Sequence, residues 1–167
     1  FGLISVDSAL VYRGLDIGSA KPSAEEQRGT PHHLIDILDP TEAIDAMGYA
    51  DRAEVAIADV TRRGRVPIVV GGTGLWMRAL IRGLVDVPPV SVAIRERLEA
   101  DVEAHGAPAV HARLAEVDPQ AAAKIHPNDA LRIVRALEVF EQTGEAMGEL
   151  RRRHALGEPR HDVFCAV

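Results

Sequence analysis

The sequence predicts an α/β fold: a parallel sheet with helices on both faces, interrupted by an all-helical insertion. Three observations predict it. Residues 66–70 (VPIVV) form an apolar run without polar alternation, the pattern of a parallel strand buried on both sides. That run sits in a helix, strand, glycine turn, helix order, the rhythm of a doubly wound domain. From residue 88 to about 149 every apolar stripe has helical spacing, and strand character returns only near the C-terminus.

Taken in order, residues 3–6 read as a short buried strand ending at Asp7-Ser8. Residues 33–38 (HLIDIL) are a weaker strand closed by Asp39-Pro40. Residues 49–63 read as a helix with Ala53, Ile57 and Val60 inward and Gly64 as its stop. The 66–70 strand reads as central. Gly71-Gly72-Thr73-Gly74 then leads into a helix over 75–82, ended by Gly83. After Val87-Pro88-Pro89, one helix carries Ile94, Leu98 and Val102, and a second carries Val110, Leu114 and Val117. Asp118-Pro119 starts a third, with a capping aspartate before proline at the first helical position. Asn128-Asp129 starts a fourth, with Leu131, Ile133, Val134, Leu137 and Phe140 inward and Gly144 at its end. Residues 162–167 read as a strand. The expected division is an α/β core over 1–87, a helical insertion over 88–149, and a return to the core over 150–167.

Composition narrows the function classes. The 167 residues are 47% hydrophobic and 26% charged, which suits a folded domain. No apolar run approaches the roughly 18 residues of a membrane span. The single cysteine, Cys165, excludes an internal disulfide framework and fits a reducing, cytoplasmic setting. A net charge of −6 excludes a uniformly basic nucleic-acid coat but leaves room for a local basic patch. Both ends of the sequence are apolar, without an initiating methionine, and read as a segment of a longer protein.

Several residues have the placement for chemistry. Asp7 follows a buried strand, and α/β sheets bind ligands off the carboxyl ends of their strands. A carboxylate there serves as general base, magnesium ligand or turn cap. Gly72 and Thr73 lie in a glycine turn before a helix, where backbone N–H groups and a hydroxyl suit an anion, or merely a tight turn. Arg132 and Arg135 share a helix face; they suit phosphate, or pair with Glu138 or Glu141. Arg151-Arg152-Arg153-His154 is the densest basic run, an RNA contact or an exposed linker. Lys21 reads as a solubilising loop residue. His32, His33 and His126 lack partners at zinc-ligand spacing, so no metal site is expected from protein ligands.

Together these residues form a recognisable set. It comprises Ile4-Ser5-Val6-Asp7-Ser8-Ala9-Leu10-Val11-Tyr12, Asp16-Ile17-Gly18-Ser19-Ala20-Lys21-Pro22 and Pro31-His32-His33-Leu34-Ile35-Asp36. Val70-Gly71-Gly72-Thr73-Gly74-Leu75 and Ile125-His126-Pro127-Asn128-Asp129 follow, with Arg132 and Arg135-Ala136-Leu137-Glu138. In this order the chain resembles the tRNA dimethylallyltransferase (tRNA isopentenyltransferase) family over nearly its whole length. The resemblance implies a P-loop-kinase-like fold whose helical insertion grips the tRNA anticodon stem-loop. It implies transfer of a dimethylallyl group from dimethylallyl diphosphate, with Mg2+, to N6 of adenine 37 in tRNAs reading codons that begin with U. By position, Asp7 and Thr73 would be catalytic and Gly72 and Thr73 would meet diphosphate. Asp7, Ser8, Ala9, Leu10, Arg95, Leu131, Arg132, Ile133, Val134 and Arg135 would contact tRNA. A cytoplasmic monomer without membrane attachment is expected.

One departure stands out: the family's Walker-type P-loop does not occur in this sequence, so the segment alone is expected to be inactive. Three other readings compete. A related transferase acting on free adenine nucleotides would not need the helical insertion. A P-loop small-molecule kinase would need ATP. A non-catalytic RNA-binding module would not need Asp7 and Thr73.

Overall fold

The computed structural model describes residues 1–85, 87, 89, 91–155, 159–161 and 163. The chain divides into two compact units, one of Phe1–Leu84 with Glu158–Val167 and one of Val85–Gly157.

The first unit is α/β. Strand β1 (Gly2–Ser5) is central, flanked by β2 (His32–His33) and β3 (Pro67–Val70), and both pairings are parallel. In register, Ile4 faces His33 on one side and Val69 on the other. Helix α1 (Ala46–Arg62) connects β2 to β3, and α2 (Gly74–Arg82) follows β3. Asp45 caps α1 by accepting from the Gly48 N–H at 2.7 Å. The helix stops in a left-handed turn at Gly64, where Arg65 N–H reaches back to the Val60 carbonyl and Gly64 N–H to that of Thr61.

Small side chains let these layers close. Ala46, Ala50 and Ala53 of α1 are buried, and a Cβ on Gly2 would lie 2.6 Å from the Val60 side chain. Ile4, Val6, Val11, Tyr49, Trp76 and Leu80 fill the core. Tyr49 stacks on Trp76 with centroids 4.5 Å apart, and its hydroxyl donates to the Ser5 carbonyl at 3.0 Å. Burial raises the Tyr49 pKa, so the hydroxyl stays a donor.

Two sequence expectations change here. Among the described residues the 66–70 run is not a central strand: β3 flanks β1, with Ile68 37% and Val70 53% exposed on the face away from Val69. The 33–38 strand reduces to His32–His33 plus an isolated bridge between Tyr12 and Leu38. Leu34 and Asp36 take positive φ angles of 65° and 55°, which breaks the extended run. The segment is held instead by Asp36 N–H to Leu10 O, and by Ile37 and Leu38 N–H to Val11 O.

The second unit is helical: α3 (Val92–His105), α4 (Ala107–Val117), α5 (Pro119–Ala122), α6 (Ala130–Thr143) and α7 (Met147–Ala155). Its core is built on Leu98, Val110, Leu114, Ile133, Leu137 and Val139. The expected caps are present. Asp118 accepts from Ala121 N–H at 2.9 Å, Asp129 from Arg132 N–H at 3.2 Å, and Gly144 ends α6 in a left-handed turn. Asp118 is buried and also accepts from Gly148 N–H at 2.8 Å, so one carboxylate joins α5 to α7.

Helix α7 extends the helical unit past the boundary expected at 149, and the arginine run lies on it rather than in a linker. Leu131 is strongly exposed, not inward. The expected strand over 162–167 lies outside the described residues apart from Val163, which is in no regular element. Cys165 lies outside them too. Among the described residues no helix is long and apolar enough to cross a membrane.

Candidate functional site

The expected site residues fall into two groups, one on each unit. On the α/β unit, the chain leaves β1 and turns at Asp7. Its Oδ1 accepts from Ala9 N–H at 2.8 Å and Leu10 N–H at 3.4 Å, while among the described residues no hydrogen bond engages Oδ2. The carboxylate thus folds its own loop with one oxygen and keeps the other available.

The glycine turn lies against this loop. Val6 N–H donates to the Val70 carbonyl at 2.8 Å, and Thr73 N–H to the Val6 carbonyl at 3.0 Å. Gly71 makes that approach feasible: its φ is 148°, and a Cβ there would stand 2.5 Å from the Val6 oxygen. Thr73 precedes α2 at the cap position, yet its hydroxyl makes no cap hydrogen bond. It accepts from Ser8 N–H at 3.0 Å and donates to Ser8 Oγ at 3.3 Å. Asp7, Ser8 and Thr73 therefore converge at the carboxyl ends of β1 and β3, where α/β sheets bind ligands. A Cβ on Gly72 would meet nothing within 4 Å, so the turn is open on that side.

Lys21 braces this region. Its buried Nζ donates to the Tyr12 carbonyl at 2.8 Å, to Asp16 at 2.8 Å and to Asp36 at 2.5 Å. Burial would lower its pKa, but the two carboxylates outweigh that and raise it. Reading Lys21 as solubilising missed this role. The partners lie in separate loops, and nothing local in the sequence joins them.

On the helical unit, Arg95 of α3 and Arg135 of α6 meet at Glu138. Arg95 donates from Nε to Oε1 at 2.5 Å and from Nη2 to Oε2 at 3.2 Å; Arg135 Nη1 donates to Oε2 at 3.2 Å. Glu138 is 1% exposed, whereas Arg95 and Arg135 are 53% and 44% exposed. Burial would raise the glutamate pKa; the two guanidinium groups hold it below the ordinary range. These three side chains line a cavity of about 490 Å³ with Glu99, Val102, Glu103, Ala130, Leu131 and Val134. Arg132 stands apart, exposed and paired with Asp129 at 3.1 Å. Ile133 is fully buried in the helical core, so its side chain has no surface to offer a ligand. Glu138 was legible only as a pairing partner, although a carboxylate four residues after Val134, on the apolar side of α6, was the signal that it is buried.

A family model described as IPP transferase matches residues 10–167. The chain belongs to the IPP transferase family. A protein of Anaeromyxobacter dehalogenans called tRNA dimethylallyltransferase is 52% identical over 161 residues, which is 96% of this chain and 54% of that protein. One of the same name from Alkalilimnicola ehrlichii is 57% identical over 150 residues, covering 90% of this chain and 47% of the relative. The chain thus spans about half the length of the curated relatives it matches. The crystal structure of a full-length tRNA isopentenylpyrophosphate transferase from Bacillus halodurans superposes with TM-score 0.52 at 46% identity, covering 86% of this chain and 48% of that one. A eukaryotic dimethylallyltransferase described as acting on tRNA gives TM-score 0.74 at 31% identity over 90% of this chain and 38% of the other.

For magnesium, the described residues contain no cluster of three or more His, Cys, Asp or Glu side chains that could cage an ion. The available donors at the IPP transferase turn are Asp7 Oδ2 and the hydroxyls of Ser8 and Thr73. That set fits an ion that takes few protein ligands and keeps most of its water, the usual mode for Mg2+.

Proposed function

We propose that the complete protein transfers the dimethylallyl group of dimethylallyl diphosphate to the exocyclic N6 of adenine 37 in tRNA, in the cytoplasm. The observation that carries this reading is the junction at the strand ends. There Asp7 keeps Oδ2 unengaged beside a turn whose Thr73 hydroxyl is bonded to Ser8. The sequence similarity to proteins called tRNA dimethylallyltransferase supports it.

In the step, the N6 lone pair forms a bond to C1 of the dimethylallyl group. The C1–O bond breaks and diphosphate leaves with the electron pair. The N6 proton passes to Asp7 Oδ2, which acts as the general base. The open turn at Gly72 and the Thr73 hydroxyl, its proton turned from Ser8 Oγ, bind the departing anion at the start of α2, where the helix dipole favours negative charge. Bound Mg2+ supplies further neutralisation of the diphosphate. An adenine in an anticodon loop must leave its stack to reach such a carboxylate.

On the helical unit, Arg95, Leu131, Arg132, Val134 and Arg135 form the tRNA contact. Arginine forks suit phosphates and base edges, and Leu131 offers an exposed apolar surface. This unit is the reason to favour a tRNA acceptor, held by its anticodon stem-loop, over free AMP; the choice of tRNAs reading codons that begin with U rests on the family resemblance.

The test uses the complete gene product with dimethylallyl diphosphate and Mg2+. In Asp7→Asn, transfer is expected to fall by about 10²-fold or more, the scale of general-base catalysis, with tRNA binding kept. Near-normal turnover of Asp7→Asn contradicts the base assignment.

A further inference from the structure

The Arg95–Glu138–Arg135 cluster holds more than an interface needs for charge alone. A carboxylate buried to 1% exposure is a poor way to build a positive surface, since it cancels one of the two charges it touches. What it contributes is geometry. A guanidinium carries five N–H donors. Arg95 commits Nε–H and one Nη2–H to Glu138, and Arg135 commits one Nη1–H. The remaining donors stay free of that clamp, on side chains about half exposed at the cavity wall. An unclamped arginine loses rotamer freedom when it binds, whereas a clamped one has already lost it. Arg132 is the internal contrast: it is more exposed, paired only with its own helix cap, and outside the cavity lining.

We infer that Glu138 is a positioning residue for tRNA, holding the Arg95 and Arg135 forks in the orientation that meets the RNA. This rests on the reading that both arginines contact tRNA. Electrostatics alone gives the opposite sign: removing a negative charge beside a polyanion site strengthens binding and steepens its salt dependence.

Glu138→Gln in the complete protein separates the two. The expected result is tRNA binding weaker by about tenfold, the scale of one good charge-assisted hydrogen bond. KM for tRNA is expected to rise more than kcat falls, with KM for dimethylallyl diphosphate unchanged. Unchanged or tighter tRNA binding overturns the inference. If Glu138→Gln fails to fold by circular dichroism, Glu138→Asp carries the test, because it keeps the charge and both arginines but draws the carboxylate back from them. Weaker tRNA binding by Glu138→Asp supports positioning, and wild-type affinity overturns it. The combined Arg95→Ala, Arg135→Ala protein checks the reading beneath. If it binds tRNA like wild type, the arginines do not touch RNA, and that reading fails on its own account.

Discussion

Thr73 shows how much one hydroxyl can be asked to do. It stands where a helix cap belongs, but its oxygen is turned to Ser8 instead. Thr73→Ser keeps that oxygen and is expected to retain most transfer activity. Thr73→Val keeps the shape, removes the bond to Ser8, and is expected to lose at least tenfold in kcat, read in a steady-state assay. Tyr49 is a structural counterpart. Tyr49→Phe leaves the Trp76 stack in place and strips the Ser5 carbonyl of its buried donor. A loss of about 1–3 kcal/mol in a urea melt is expected. Glu138 couples the fold to pH. Its folded pKa lies below the ordinary value near 4.5, so its stabilisation is complete above that value. It is lost as pH falls through the lower folded value. Glu138→Gln should therefore flatten the acid side of the stability profile below about pH 4.5.

At the scale of elements, the glycine turn is the piece most tightly constrained. Gly71 combines φ 148° with a backbone oxygen 2.5 Å from any added Cβ. Gly71→Ala must push the turn off Val6, and a loss of about 3 kcal/mol or more, with transfer falling alongside, is expected in thermal melts and assays. Gly72→Ala, with open space around it, should fold normally. Elements whose signals are local were legible: the Asp118 and Asp129 caps, the Gly64 and Gly144 stops, and the α6 stripe through Ile133 and Leu137. Elements that depend on distant neighbours were not. The run at β3 has the composition of a strand buried on both faces, but strand order decides burial, and among the described residues the order places β1 in the middle. Residues 34–38 have strand composition, but Leu34 and Asp36 take left-handed backbone angles, and Lys21, distant in sequence, grips Asp36.

At the scale of the whole molecule, the sequence pattern separated a sheet unit from a helical one, and the structure places their boundaries after Leu84 and after Gly157. Each unit carries its own cluster of candidate residues. Asp7 and the turn holding Thr73 were each legible as positions after a strand, where α/β folds gather ligands, but their pairing came from the family resemblance. The Arg95–Glu138 contact spans 43 positions and crosses between helices, so only the fold shows it. On the proposed reading the first cluster carries the chemistry and the second the choice of acceptor. A small acceptor would need only the first.

The most direct measurement is therefore a competition. The complete protein is given dimethylallyl diphosphate and Mg2+ with unmodified tRNA and AMP together, and the products are weighed by mass spectrometry. A dimethylallyl mass gain is expected on tRNA, mapped by nuclease digestion to the adenine beside the anticodon, and none on AMP. Label on AMP with tRNA unmodified would contradict the proposed reading.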